Sequence, residues 1–355
     1  MDSKLYTKIS HRIICSDNSV LSAIKQMDSE HVKLLFVFTG EFFLGILTIG
    51  DIQRAIIANI SLTEKISVII DKDKKYASLS DSVDKIKADI LALRSECMPV
   101  LDIEKKLVNV YFWNDFFGDQ AIIDRREKIN LPVVIMAGGL GTRLKPLTNV
   151  IPKPLIPIGE KTILETILDQ FESIGCSKFF MSVNYKSEFI EYYLAKIEHK
   201  YNLEYFKEDK PLGTIGSVSL LRGKINSPFF VSNCDIIIDQ DFRDVYDYHC
   251  QNKNDITIVS AVKSYQIPYG VIETSKDGLM ANLSEKPEMT YMINTGVYIL
   301  QPNLISKIPT GGLFHITDLI EKVKDCGGRI GCFPVSEKSW IDIGDWNEYM
   351  NFIKK

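Results

Sequence analysis

An α/β protein with a mainly parallel mixed sheet, preceded by a duplicated smaller unit, is the fold class that this 355-residue sequence predicts. Three observations lead there. From residue 131 onward, strand-like apolar runs alternate with amphipathic helical patterns, as strand–helix crossovers over both faces of a sheet require. The first third repeats one order of elements. Between the two lies a charged stretch, Asp124-Arg125-Arg126-Glu127-Lys128, directly before the apolar run Leu131 to Ala137. The boundaries are therefore a duplicated unit at 1–123, a linker at 124–130 and a larger domain at 131–355.

In the first copy, Ser16 to Val20 opens a helical pattern with Val20, Ile24 and Met27, followed by strands at Leu34 to Phe38 and Leu44 to Thr48 and a helix start at Asp51-Ile52. In the second, Ser80 to Val83 opens a helix, Met98 to Leu101 and Val108 to Phe112 read as strands, and Asn114-Asp115 starts a helix. Val20 and Val83 stand 63 residues apart and Asp51 and Asp115 stand 64 apart, so both offset and order argue for duplication over chance likeness of two amphipathic stretches. Downstream, strands are expected at Phe179 to Val183, Leu203 to Phe206, Phe229 to Val231 and Ile256 to Val262. Helices are expected at Ile163 to Ile174, Glu188 to Ile197, Ile215 to Leu221 and Phe242 to Cys250. In such sheets, ligands sit beyond the carboxyl ends of the strands.

Composition narrows the function. Forty-two basic and forty-six acidic side chains give a net charge of −4, which argues against a chain-wide nucleic-acid footprint. The longest apolar runs are far too short to span a bilayer, and the N-terminus lacks the apolar core of a signal peptide. Seven cysteines without a C-x-x-C pair support neither a zinc ribbon nor a disulfide framework, and a reduced, cytoplasmic setting is expected.

After the strand at Leu131 to Ala137 comes Ala137-Gly138-Gly139-Leu140-Gly141-Thr142-Arg143-Leu144. Three glycines in four positions let backbone amides approach a phosphate, and Arg143 offers a planar fork for its oxygens. The loop is neither a Walker loop nor a dinucleotide fingerprint, since Gly-Lys-Ser/Thr and a third spaced glycine are both missing. Alone, it favours phosphate binding over the alternative, a glycine-rich turn beside a surface arginine. The continuous run from Met136 to Gly159, MAGGLGTRLKPLTNVIPKPLIPIG, resembles the signature of the sugar-1-phosphate nucleotidyltransferases. That resemblance implies a Rossmann-like nucleotidyltransferase domain in which Ala137, Gly138, Gly139, Gly141, Thr142 and Arg143 meet the triphosphate and Lys153 contacts phosphate at the reacting centre. Pro152 and Pro154 would stiffen the backbone around Lys153.

The resemblance continues in the family's order. Glu208 to Thr214, EDKPLGT, is similar to the loop that receives the nucleobase, with Glu208, Gly213 and Thr214 in contact. Asn233-Cys234-Asp235 and Trp340 to Gly344 are similar to the segments that supply two metal-binding aspartates, Asp235 and Asp342. By itself an Asp at a strand end is more often a helix cap. Paired, and beside phosphate oxygens, two carboxylates suit Mg²⁺, which takes few protein ligands. Tyr269-Gly270, Glu285-Lys286 and Asn294 resemble sugar-phosphate-pocket segments, which implies a sugar-hydroxyl contact for Glu285 in preference to the alternative, an ion pair with Lys286. None of the five histidines joins a nucleophile or metal constellation. The chemistry needs none, since the second ionisation of a sugar phosphate lies near pH ~6 and leaves a dianionic nucleophile at neutral pH.

Leu34 to Phe38 and Gly45 to Ile52 resemble a cystathionine-β-synthase (CBS) domain, a module that works in tandem pairs and often binds adenosine nucleotides. Thr48 and Asp51 fit the family's ribose-binding pattern and mark an expected regulatory nucleotide site. In the second copy Phe112, Asn109 and Trp113 replace Thr48, Gly45 and Ile49, and those bulky residues are expected to block or reshape a second site. A plain helix cap is the alternative for Asp51, and Asp115 reads as such a cap.

The combination resembles the guanylyltransferases of legionaminic acid synthesis. It implies transfer from GTP to glucosamine-1-phosphate with Mg²⁺, and a homo-oligomer without nucleic-acid or membrane partners. The alternatives are a mannose- or heptose-1-phosphate guanylyltransferase, or a nucleotide-sensing regulatory protein with a degenerate transferase domain.

Overall fold

Two contiguous units, Met1–Glu127 and Lys128–Lys355, divide the chain in the computed structural model. The structure describes residues 3–93, 95–118, 127–197, 201–344, 346 and 349–350. The unit boundary falls inside the expected linker, whose residues 124–126 lie outside the described residues.

Both halves of the first unit are built alike. Ile13–Cys15 pairs parallel with Leu34–Thr39, which pairs antiparallel with Phe42–Thr48. Ala77–Ser78, Cys97–Leu101 and Leu107–Phe112 repeat that arrangement. Helix Val20–Glu30 begins where Ser19 accepts a hydrogen bond from the Ser22 amide, and its counterpart is Val83–Leu93. Leu34, Phe36 and Ile46 of the first half share one buried cluster with Cys97, Leu107 and Val110 of the second. The two halves thus bury part of their apolar surface against each other, while Ala77, Ile86, Ile90, Met98, Val100 and Trp113 form a cluster within the second. Helix Ser3–Ile9, which the sequence reading lacks, adds Leu5 and Ile9 to that cluster.

The second unit carries a seven-stranded sheet. Its strands run in the order Asn202–Lys207, Lys178–Val183, Val133–Met136, Phe229–Asn233, Glu288–Leu300, Ile256–Gln266 and Ile330–Ser336. All neighbours are parallel except Glu288–Leu300, which is antiparallel to both of its neighbours. Alternate residues feed two cores. Val133, Ile135, Phe179, Met181 and Phe230 pack with helices Ile163–Ser173, Ser187–Lys196 and Phe242–Gln251, where Phe171 and Phe242 stack at 4.7 Å. Val134, Phe180, Phe229 and Val231 face the turns at Gly216–Leu221 and Pro302–Lys307 and helix Ile316–Asp325. A sheet covered on both faces is what the uninterrupted apolar strands require.

Two expectations are corrected here. Residues 215–221 form a tight 3₁₀ stretch over Gly216–Leu221 and not an α-helix; the Ser219 hydroxyl donates to the Gly216 carbonyl at 2.7 Å, a local bond that draws the turn in. Ile256–Gln266 also runs beyond Val262, because it has Glu288–Leu300 to pair with, and a hairpin of Val271–Thr274 and Met280–Ser284 connects the two.

Candidate active site

Four adjacent parallel strands end at one edge of the sheet, and each delivers a candidate residue there. Val133–Met136 leads into the glycine loop, Lys178–Val183 into Asn184, Asn202–Lys207 into Glu208, and Phe229–Asn233 towards Asp235. This is the carboxyl-end crevice of an open parallel sheet.

The glycine loop is open to solvent at Gly139, Leu140, Thr142 and Arg143. Gly141 adopts φ 62°, and a Cβ there would lie 2.8 Å from the Thr148 methyl and 3.2 Å from Lys153 Cβ. Glycine is therefore demanded twice at that position, by conformation and by space. Behind Gly138 stands Glu208, whose carboxylate accepts from the Ser182 hydroxyl at 2.6 Å and the Leu212 amide at 3.1 Å. Gly213, at φ 85°, lies against the Phe314 backbone, whose amide donates to the Leu212 carbonyl at 2.9 Å. Thr214 is exposed, and its hydroxyl accepts from the Ile316 amide at 2.9 Å, so it caps helix Ile316–Asp325 and does not begin the stretch that follows it in sequence.

Asp235 and Asp342, 107 residues apart in sequence, are neighbours in space. The short strands Ile236–Ile238 and Trp340–Asp342 pair antiparallel with Ile236 opposite Asp342, and the Ile343 amide donates to the Asp235 carbonyl at 2.9 Å. Lys153, only 8% exposed, pairs its ammonium with Asp235. Burial, and next the charge of Asp235, push the Asp342 carboxyl above its ordinary range against the pull of Lys153 and Arg143. Oδ1 of Asp342 is buried without a hydrogen-bond partner. Two carboxylates that repel each other, one with an orphaned oxygen, form a donor set that fits a hard divalent cation such as Mg²⁺. Among the described residues no group of three or more His, Cys, Asp or Glu side chains could hold a metal. Arg143, Lys153, Asp235 and Asp342 thus form one cluster.

The sugar-pocket candidates lie where the hairpin joins the sheet. Tyr269, Gly270, Glu285 and Lys286 are exposed, with Glu285 Oε2 3.0 Å from the place a Gly270 Cβ would take. Asn294 accepts from the Gly296 amide at 3.1 Å and the Tyr298 hydroxyl at 2.8 Å, while Gly296, at φ 89°, lets the Asn233 side chain pass where a Cβ would stand 2.5 Å away. Sequence reasoning missed Ser182, Asn184 and Asn233, small polar residues whose partners are fixed only by the fold.

In the first unit the expected nucleotide-site residues Thr48 and Asp51 stand side by side. Asp51 is 3% exposed; it closes a capping box with Thr48 and also meets Lys74 and Arg54. Burial raises its pKa, but Lys74 and Thr48 outweigh that and hold the carboxyl below its usual range. A ribose would have to displace these partners. In the second copy Phe112, Trp113 and Asp115, with Lys8, His11, Arg12 and Glu96, line a cavity of about 320 Å³. Asp115 is the helix cap expected of it, accepting from the Phe112 amide at 2.8 Å, and it pairs with Lys8 at 2.7 Å.

A glycine loop, two cations and paired carboxylates gather at the carboxyl edge of the parallel strands, and the fold defines the class as an α/β protein with a Rossmann-like sheet. The nucleotidyl transferase family model matches residues 132–355, and the chain belongs to that family. It is similar to a mannose-1-phosphate guanyltransferase of Aspergillus oryzae, with 30% identity over 231 residues, 62% of this chain and 63% of that one. It is also similar to one of Hypocrea jecorina, with 34% identity over 234 residues, 61% and 62% of the two chains. The chain thus matches less than two thirds of the length of these curated relatives. Among solved structures it is similar to HddC from Yersinia pseudotuberculosis, at 28% identity and a TM-score of 0.50, covering 63% of this chain and 98% of that one. No helix among the described residues is long and apolar enough to cross a membrane.

Proposed function

We propose that the chain transfers a guanylyl group from GTP to a sugar-1-phosphate and releases pyrophosphate. The observation that carries this reading is the cluster of Arg143, Lys153, Asp235 and Asp342 beside the open glycine loop. An oxygen of the acceptor phosphate attacks the α-phosphorus in line. The bond to the bridging oxygen breaks, and pyrophosphate leaves with the electron pair. Arg143 and Lys153 neutralise charge on the phosphate oxygens, and Lys153 is oriented in advance by Asp235. Asp235 and Asp342 would hold Mg²⁺, which when bound supplies further charge neutralisation at the phosphates. Glu208, Gly213 and Thr214 are assigned to the nucleotide, and Tyr269, Gly270, Glu285, Lys286 and Asn294 to the sugar phosphate.

The guanine base and the acceptor are supported by the names of the relatives, which favour mannose-1-phosphate over the glucosamine-1-phosphate and legionaminic acid link expected from the sequence. Pyrophosphate release across a matrix of nucleotides and sugar phosphates tests both: a preference for dTTP or UTP rejects the base, and failure with mannose-1-phosphate alone rejects only the sugar. Chelation of divalent cations should stop turnover. For the first unit the same reading assigns a CBS-type pair. An adenosine nucleotide effector is served better by the cavity beside Asp115 than by Asp51, whose oxygens are already engaged. Calorimetry with AMP, ADP and ATP decides this: heat that persists in Asp51→Ala and disappears in Asp115→Ala supports it.

A further inference from the structure

We propose that Lys186 is a positioning residue for the phosphate loop, holding from the neighbouring strand the turn on which Gly141 and Lys153 rest. The inference rests on the nucleotidyl-transfer reading for its effect on turnover, and on geometry alone for its effect on the loop.

Lys186 follows the strand Lys178–Val183, which pairs with the strand that feeds the glycine loop. Its own setting does not favour lysine. The backbone is left-handed, at φ 54° and ψ 35°, a conformation that strains a non-glycine residue. It also caps the amino end of helix Ser187–Lys196, where the helix dipole disfavours a cation. What its ammonium reaches accounts for it. Nζ lies 2.6 Å from the Asn149 carbonyl oxygen, 3.0 Å from that of Val150 and 3.5 Å from that of Thr148, with the rings of Tyr185 and Phe189 at 5.2 and 5.8 Å. An ammonium has three donors, and here three main-chain acceptors face it.

Those carbonyls belong to the single turn Leu147–Asn149 and the residue after it. The last carbonyls of so short a turn lack helical partners and depend on tertiary donors. The turn in turn supports the site. Thr148 is 2% exposed, its hydroxyl donates to the Gly141 carbonyl at 2.8 Å, and its methyl fills the space beneath Gly141. Lys153 Cβ borders the same space. Lys186 therefore ties the floor of the phosphate loop to the sheet without itself belonging to the loop. Removing the tie should cost preorganisation of Gly141 and Lys153 while sparing the core.

Two measurements on the full chain test this. The first is hydrogen exchange without nucleotide. Lys186→Met should speed exchange of the amides in 138–150 at an unchanged melting temperature, and Lys186→Arg, which can donate to the same carbonyls, should restore protection. The second is steady-state pyrophosphate release with GTP and mannose-1-phosphate. Lys186→Met should lower kcat/KM roughly tenfold or more, with KM for GTP raised, and Lys186→Arg should recover most of it. Thr148→Val should lose a similar factor, and the double variant should be little worse than the worse single one, since both act through one turn. Unchanged exchange in Lys186→Met, or losses that multiply in the double variant, would overturn the proposal; the first of these would indicate direct contact with a substrate phosphate. A wild-type chain without turnover sinks the transferase reading, and the exchange experiment still decides the role of Lys186.

Discussion

Lys153 is nearly buried and already held by Asp235, so in the proposed reaction it meets a phosphate without reorganisation. Lys153→Ala should lower kcat by roughly 10²-fold, read as initial rates on a variant whose circular dichroism matches the wild type. Asp342 is the opposite case, a group whose site is costly to the fold. Its raised pKa means that the folded chain holds the proton more tightly than the unfolded chain; that stabilisation is present at low pH and is lost as pH rises through the folded value. Burial and the charge of Asp235 disfavour the ionised carboxylate. Asp342→Asn should therefore raise the melting temperature without divalent cations while abolishing turnover, and a lowered melting temperature would argue against a strained metal pair. His249 titrates in the other direction. It is fully buried with Nδ1 2.9 Å from the Thr257 hydroxyl and Nε2 3.0 Å from Gln301 Nε2, and burial lowers its pKa from 6.5 to about 4. The stability it lends is present above pH 6.5 and lost as pH falls towards about 4. Urea midpoints should drop across that window, and His249→Gln should flatten the drop.

At the scale of elements, the base-loop candidate depends on a backbone contact that no local pattern reveals. Gly213 combines φ 85° with a Cβ position 2.5 Å from the Phe314 carbonyl oxygen, and the obstacle is backbone, which cannot rotate aside. Gly213→Ala should shift the loop 208–214, raise KM for GTP at least severalfold and destabilise the chain by more than about 1 kcal/mol, checked by kinetics together with urea unfolding. Helices Val20–Glu30 and Ile163–Ser173 were legible because periodicity and a capping hydroxyl, Ser19 or Thr162, agree. The stretch at 215–221 was not. Its apolar spacing fits a helix, but the Ser219 hydroxyl satisfies the Gly216 carbonyl locally and the turn stays tight.

At the scale of the molecule, the candidate transferase residues all fall in the second unit, yet they come from segments spread between residues 137 and 342. Protection from hydrogen exchange on adding GTP and Mg²⁺ should therefore appear in separate peptides around 138–153, 208–214, 233–236 and 340–344. Protection confined to the first unit would contradict the site. The duplicated architecture was visible in the matching offsets of the first unit, since each copy must present the same apolar face to the shared core.

Strand and helix alternation, the glycine loop and the proline-flanked Lys153 are decided by local chemistry: φ freedom, side-chain periodicity and capping act over a few residues and can be read from the sequence alone. Whether carboxylates 107 residues apart meet, whether Asp51 is open to a ligand, and which carbonyls Lys186 reaches are decided only by tertiary structure. Strand pairing and burial set those distances, and the same residue types at the same spacing would be solvated caps and surface charges in a different packing.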